Sequence, residues 1–207
     1  MSSTINVIRL ANEGCFIVYD EKHPLNSYSE NVLFTEESVE WKSIQHEARK
    51  VEFLGVRTLR NYCRLDSAIF YSSSKKPYLA PALQTEISIS HSRHFCAFAY
   101  GDCEIGLDIE EINERILRVA YKFIHENEQS FFREDSLTAL TKLWCMKEAM
   151  FKLNNRTGID FKTELLVESR NGEVYFGKML CEEGWRKTRM HCFQVDKLIL
   201  CLCNYAD

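Results

Sequence analysis

Proline is scarce in this chain, with three residues in 207, and no low-complexity stretch interrupts it. That scarcity excludes a compositional linker, so two halves, if present, are expected to pack closely. Long apolar runs are missing too: nothing approaches the ~20 residues that span a bilayer. The opening Met1-Ser-Ser-Thr-Ile-Asn6 lacks a basic region followed by an apolar segment, so neither membrane insertion nor secretion is expected. None of the nine cysteines forms a Cys-x-x-Cys pair. An odd number scattered through apolar runs reads as buried free thiols and points to a reducing cytoplasm. Charge of one sign is not in excess, the net being -4 with acids and bases mixed. Nucleic acid is therefore not an expected partner, and a small anionic ligand in a local cationic pocket is. No Gly-x-x-x-x-Gly-Lys loop, dinucleotide fingerprint or Gly-x-Ser-x-Gly elbow is present, which removes the usual nucleotide-loop and serine-hydrolase readings.

What is there suffices for a globular core, with 45% apolar residues. In the first half, period-2 segments predict strands at Ile5 to Leu10, Cys15 to Tyr19, Ala68 to Ser72, Glu86 to Ser90 and Phe95 to Tyr100. One helix is expected from Thr35 or Trp41 to Arg64, with Ala48, Val51, Leu54, Thr58 and Leu59 as its apolar stripe and Arg49, Arg57 and Arg60 elsewhere on its surface. The second half predicts a strand at Glu104 to Glu110 and helices at Asn113 to Ile124 and Ser136 to Leu153. Strands follow at Leu165 to Glu168, Val174 to Lys178, Met190 to Val195 and Leu198 to Cys203. The expected class is α+β, a pseudo-twofold duplication in which each half sets a long helix on mainly antiparallel strands, with halves at 1–102 and 103–207.

Two motifs carry three carboxylates. In Gly106-Leu-Asp-Ile-Glu110 an extended backbone turns Asp108 and Glu110 to one face and Leu107 and Ile109 to the other. Adjacent carboxylates repel, so a cation is their natural partner. In Trp144-Cys-Met-Lys-Glu-Ala-Met-Phe-Lys152 a helix places Trp144, Glu148 and Lys152 at i, i+4 and i+8 on a largely apolar surface, where a buried acid and lysine demand partners. Converging on one hard cation, with Lys147 and Lys152 for an anionic substrate, these residues suit a magnesium-dependent phosphate enzyme. A third motif, Ser88-Ile-Ser-His-Ser92, ends an apolar strand with His91 poised to donate to a phosphate. His94 nearby raises zinc, but no cysteine or carboxylate spacing completes such a site.

Lys76-Pro-Tyr-Leu, Ser-Ile-Ser-His-Ser, Gly-Leu-Asp-Ile-Glu and the Trp144 to Lys152 segment, in that order and spacing, resemble the signature set of the Sfp-type 4′-phosphopantetheinyl transferases. The resemblance implies a cytoplasmic, monomeric enzyme that moves the phosphopantetheine arm of coenzyme A to a serine of an acyl, peptidyl or aryl carrier protein and releases 3′,5′-ADP. Asp108, Glu110 and Glu148 match the family's Mg²⁺-holding acids, a set that Mn²⁺ also suits. Lys152 matches the lysine on the pyrophosphate, His91, after Ser90, the histidine on the 3′-phosphate, and Lys76 the lysine near the adenine. Lys75 stands where the family has glycine. Arg49, ahead of Arg57, resembles an arginine reaching the 3′-phosphate. A base that accepts the serine proton is implied in Phe123-Ile-His-Glu-Asn-Glu128, where Glu128 is preferred and Glu126 competes. Coenzyme A is expected between the halves. Two rival readings use the same acids or none of their chemistry: a magnesium-dependent nucleotide pyrophosphate hydrolase, and a coenzyme A binding module without catalysis.

Overall fold

The structure, a computed structural model, describes residues 5–10, 13–128, 137–154 and 156–206. Its class is α+β: every strand pairing is antiparallel, and three α-helices lie among the described residues. The chain divides into two compact units, Met1–Cys103 and Glu104–Asp207. Among the described residues no helix is long and apolar enough to cross a membrane.

The first unit holds β1 (Asn6–Leu10), β2 (Cys15–Glu21), α1 (Thr35–Ser43), α2 (Glu47–Tyr62), β3 (Phe70–Tyr71), β4 (Pro77–Tyr78), β5 (Glu86–His91) and β6 (Phe95–Gly101). Its main sheet has the order β1-β2-β6-β5, with β3 and β4 as a separate pair. Val56 and Leu59 of α2 pack on Val18, Ile87, Cys96 and Phe98 of that sheet, so the alternation of the strands and the stripe of the helix meet in one core.

One helix was expected over this region, and the structure has two. Ile44 closes α1 with an extended backbone at ψ 121°, and the chain doubles back. A buried ion-pair network fixes that return: Glu37 of α1 accepts from Arg57 Nε at 3.1 Å and from Arg60 Nη1 at 3.3 Å. In one straight helix residues 37 and 57 would be about 30 Å apart, so the pair and a continuous helix exclude each other. Glu37 also accepts from the Phe34 and Ile69 amides, and Trp41 stacks on Phe53. The expected strand at Ala68 to Ser72 is reduced to Phe70–Tyr71, because only Tyr78 and Pro77 oppose it.

The second unit holds β7 (Ile105–Glu111), α3 (Leu137–Asn154), β8 (Leu165–Asn171), β9 (Val174–Cys181), β10 (Gly184–Val195) and β11 (Leu198–Tyr205). Its sheet runs β7-β11-β10-β9-β8. Leu143, Met146, Ala149, Met150 and Leu153 of α3 pack with Ile199, Cys201 and Cys203 of β11, Met190 and Cys192 of β10 and Met179 of β9. The expected start of α3 at Ser136 lies outside the described residues. The helix expected at Asn113 to Ile124 is instead two 3-10 turns, Glu114–Arg118 and Ala120–Lys122. Ile116, Val119 and Ala120 keep the helical period and pack on the core. The bonds nonetheless close at i+3, as in Val119 to Ile116 and Lys122 to Val119, because the Asn113 cap and the fully buried Phe123 fix both ends of a short span.

Candidate functional site

The acid site is built by one close approach. Gly106 lies on β7 opposite Cys203, and a Cβ there would stand 2.0 Å from the Ala149 carbonyl oxygen and 2.7 Å from the Leu153 nitrogen. Only glycine admits the α3 backbone against β7 at this distance. Two and four residues further along the same face come Asp108 and Glu110, opposite Cys201 and Ile199. Helix α3 answers with Trp144, Glu148 and Lys152 on the side that meets them.

The contacts follow from that register. Lys152 Nζ lies 2.8 Å from Asp108 Oδ1, and Trp144 Nε1 donates to Glu110 Oε1 at 2.9 Å. Asp108 is buried. Burial pushes the Glu110 carboxyl up to about 7, with the Asp108 charge adding to it and the Trp144 hydrogen bond and Lys152 opposing it. Burial and then Asp108 push Glu148 up to about 7 as well, against Lys152. Three acids thus share a desolvated patch with Lys152 in ion-pair contact with one of them. Among the described residues no group of three acid, histidine or cysteine side chains is already gathered tightly enough to hold a metal ion. The donor chemistry nevertheless fits a hard divalent cation: all three are carboxylates, and burial, with the Asp108 charge beside it, raises the proton affinity of two, a penalty that a cation relieves.

Glu128 is placed differently from the expectation. It is 1% exposed, it pairs with Lys147 Nζ at 2.8 Å, and it accepts from the His125 and Val167 amides. Lys147, itself buried, donates further to the Phe123 and Phe161 carbonyls. These bonds pin the 3-10 turn Glu126–Glu128 and β8 to α3, so Glu128 is a strut with both oxygens engaged and cannot meet a substrate hydroxyl. Lys147 is likewise withdrawn from any substrate role. Glu126 is exposed.

In the first unit the structure brings Arg49 and His91 together. Glu52 of α2 accepts from Lys22 Nζ at 2.9 Å on Oε1 and from Arg49 Nη1 at 3.0 Å on Oε2, and His91 Nε2 lies 3.0 Å from that same Oε2. Burial alone would push the Glu52 carboxyl up, but the Lys22 hydrogen bond and the His91 charge hold it below the usual range. Arg57, the second arginine weighed, is buried on Glu37 and is not available to a ligand. Ser90 is also buried. Strand alternation turns it away from the His91 face, so its side chain is not presented as a ligand beside His91. Lys76 Nζ lies 3.6 Å from Glu86 Oε2. Lys75 has φ +66°, the left-handed backbone that glycine takes most cheaply.

Sequence reasoning missed Gly106 as the packing contact, Trp144 as the partner of Glu110, and Glu52 and Lys22 as the centre and third cation of the first-unit cluster. A glycine inside a strand signals close backbone approach, and Glu52 lies three residues after Arg49, a pair spacing on a helix. Lys22 has no local signal.

Residues 104–203 match the family model described as the 4′-phosphopantetheinyl transferase superfamily. That span coincides with the second unit and contains every acid of the candidate site. Among curated proteins the chain is similar to the 4′-phosphopantetheinyl transferase gsp of Aneurinibacillus migulanus, with 33% identity over 84 residues, 38% of this chain and 35% of the relative. The match thus spans about a third of that relative's length.

Proposed function

We propose that the chain, whose residues 104–203 match the 4′-phosphopantetheinyl transferase superfamily, transfers the phosphopantetheine arm of coenzyme A to a serine of an acyl, peptidyl or aryl carrier protein, releasing 3′,5′-ADP. The observation that carries this reading is the acid patch, in which Asp108, Glu110, Glu148 and Lys152 face one another across β7 and α3 inside the matched span. A pyrophosphate is the substrate group whose charge such a site handles.

Asp108, Glu110 and Glu148 would hold the Mg²⁺, which supplies charge neutralisation on the pyrophosphate and its leaving oxygen. Lys152, already in ion-pair contact with Asp108, contributes a second positive charge toward the same oxygens as the serine attacks the phosphorus. Trp144 fixes Glu110 by its indole hydrogen bond and stacks on Phe161, so the acid keeps its direction when the site is empty of substrate. Glu126, exposed at the surface, takes the serine proton in place of the buried Glu128. Arg49 and His91 bind the 3′-phosphate, and Lys76 the adenine end. The two units represent the two halves of a duplicated fold. The protein works as a monomer in the cytoplasm.

The test is incubation with coenzyme A, Mg²⁺ and an apo carrier protein, followed by intact mass of the carrier. Gain of one phosphopantetheine is the expected result. Nucleotide release with an unchanged carrier would instead mark a hydrolase, and binding without turnover a module.

A further inference from the structure

The cluster around Glu52 has an unusual composition for a surface ion pair. Three cationic groups from three elements meet one carboxylate: Lys22 follows β2, Arg49 lies on α2 and His91 ends β5. The Arg49 contact alone is an ordinary helical pair of the kind that contributes a few tenths of a kcal/mol in isolation. The other two are not local, and the Lys22 contact is shielded from solvent, its side chain being 12% exposed and that of Glu52 19%, while the His91 ring is 42% exposed. Chain geometry therefore directs donors from a strand end, a hairpin and a helix at a single small trigonal anion. The Lys22 backbone is held as well, its amide donating to the His94 carbonyl across the sheet end.

We propose that Glu52 is a positioning residue that holds Lys22, Arg49 and His91 convergent on the 3′-phosphate of coenzyme A, and that Lys22 is a further ligand of that phosphate. The inference rests on the reading of the chain as a coenzyme A enzyme. A phosphate dianion needs several donors aimed at one point, and three cations brought that close repel one another unless a carboxylate lies between them. Glu52 supplies the opposing charge while leaving the cluster with more positive groups than negative ones. Without it the cations separate, and the phosphate loses donors even though the local potential becomes more positive. This fixes the sign: removal of the Glu52 charge weakens binding of the 3′-phosphorylated ligand.

The readout is discrimination between coenzyme A and 3′-dephospho-coenzyme A, measured by titration calorimetry on the full chain for wild type, Glu52→Gln and Lys22→Gln. A general loss of structure lowers both affinities together and leaves their ratio; loss of the phosphate contacts lowers the ratio. The wild type is expected to prefer coenzyme A, and each variant to lose roughly tenfold of that preference, the scale of one charge-assisted hydrogen bond. If Glu52→Gln fails to fold by circular dichroism, Lys22→Gln, at a strand end, still carries the test. A wild type that discriminates alongside variants that keep its ratio, or a Glu52→Gln protein that binds coenzyme A more tightly, overturns the role of the cluster and leaves the transferase reading intact. A wild type that binds both ligands equally overturns the inference together with the 3′-phosphate assignment beneath it.

Discussion

Replacing Gly106 with alanine probes the contact on which the acid site depends. The added methyl would lie 2.0 Å from one backbone atom of α3 and 2.7 Å from another, whereas a carbon meets a carbonyl oxygen at about 3.3–3.6 Å. Neither obstacle is a flexible side chain, so α3 must move away from β7 by roughly 1 Å or more. Overpacking of a tight core costs about 1–3 kcal/mol, and a backbone clash belongs at the upper end. At about 2–4 °C per kcal/mol for a chain of this size, melting should fall by roughly 6–12 °C. The same shift carries Glu148 and Lys152 away from Asp108 and Glu110. Displacements of about 1 Å at a reacting centre can cost ~100-fold in rate, so carrier modification should fall by about that factor at temperatures where the variant is still folded. Calorimetric melting and the initial rate of carrier mass gain provide the two measurements. A Gly106→Ala protein that melts with the wild type and transfers at full rate would refute the close-contact reasoning.

Other expected outcomes concern the struts and the turn. Glu37→Gln leaves two buried guanidinium groups without their charge partner and should destabilise by about 3–5 kcal/mol in chemical denaturation; a loss within the usual range of surface substitutions would count against the network. Lys147→Met should cost a similar amount, while Glu128→Gln together with Lys147→Met should cost less than the two singles added, a coupling that a double-mutant cycle measures. Lys75→Gly relieves a left-handed backbone and should raise stability by roughly 0.5–1 kcal/mol, read as an increase in the denaturation midpoint. Because the folded Glu52 carboxyl titrates below its ordinary range, its contribution is present above the unfolded value and is lost as the pH falls through the folded one. The stability difference between wild type and Glu52→Gln should therefore shrink as the pH falls below the ordinary glutamate value, and a difference that stays constant on acidification would contradict the ion pairing.

Most strands of the two larger sheets were legible as alternating or continuously apolar runs, and Asp108 and Glu110 fell on one face as period 2 requires. Strand β10, however, starts at Gly184, six residues before the expected Met190, because Trp185, Arg186 and Lys187 form its exposed beginning. Helix α3 was legible for a similar reason, its apolar positions matching a single core. What stayed hidden depended on contacts between segments distant in sequence. Arg57 and Arg60 look like surface charges until Glu37 is known to fold back on them. Glu128 has the position of a base, but Lys147 and the Val167 amide, which close its carboxylate, lie 19 and 39 residues later in the chain. The residues from 113 to 124 carry a helical period, and period alone does not distinguish i+3 from i+4 bonding in so short a span. Gly106 was quoted as part of a motif, yet its physical role emerges only once α3 is seen against it.

The most direct measurement is the rate of phosphopantetheine transfer from coenzyme A to an apo carrier protein, followed by carrier mass, for wild type and Glu148→Gln side by side with saturating Mg²⁺. The expected result is stoichiometric modification by the wild type and a loss of roughly 100-fold or more in the variant, whose fold is confirmed by an unchanged circular dichroism spectrum. Full transfer by Glu148→Gln, or no modification by the wild type of any apo carrier supplied, would contradict the assignment of the acid patch on β7 and α3 as the centre of the reaction.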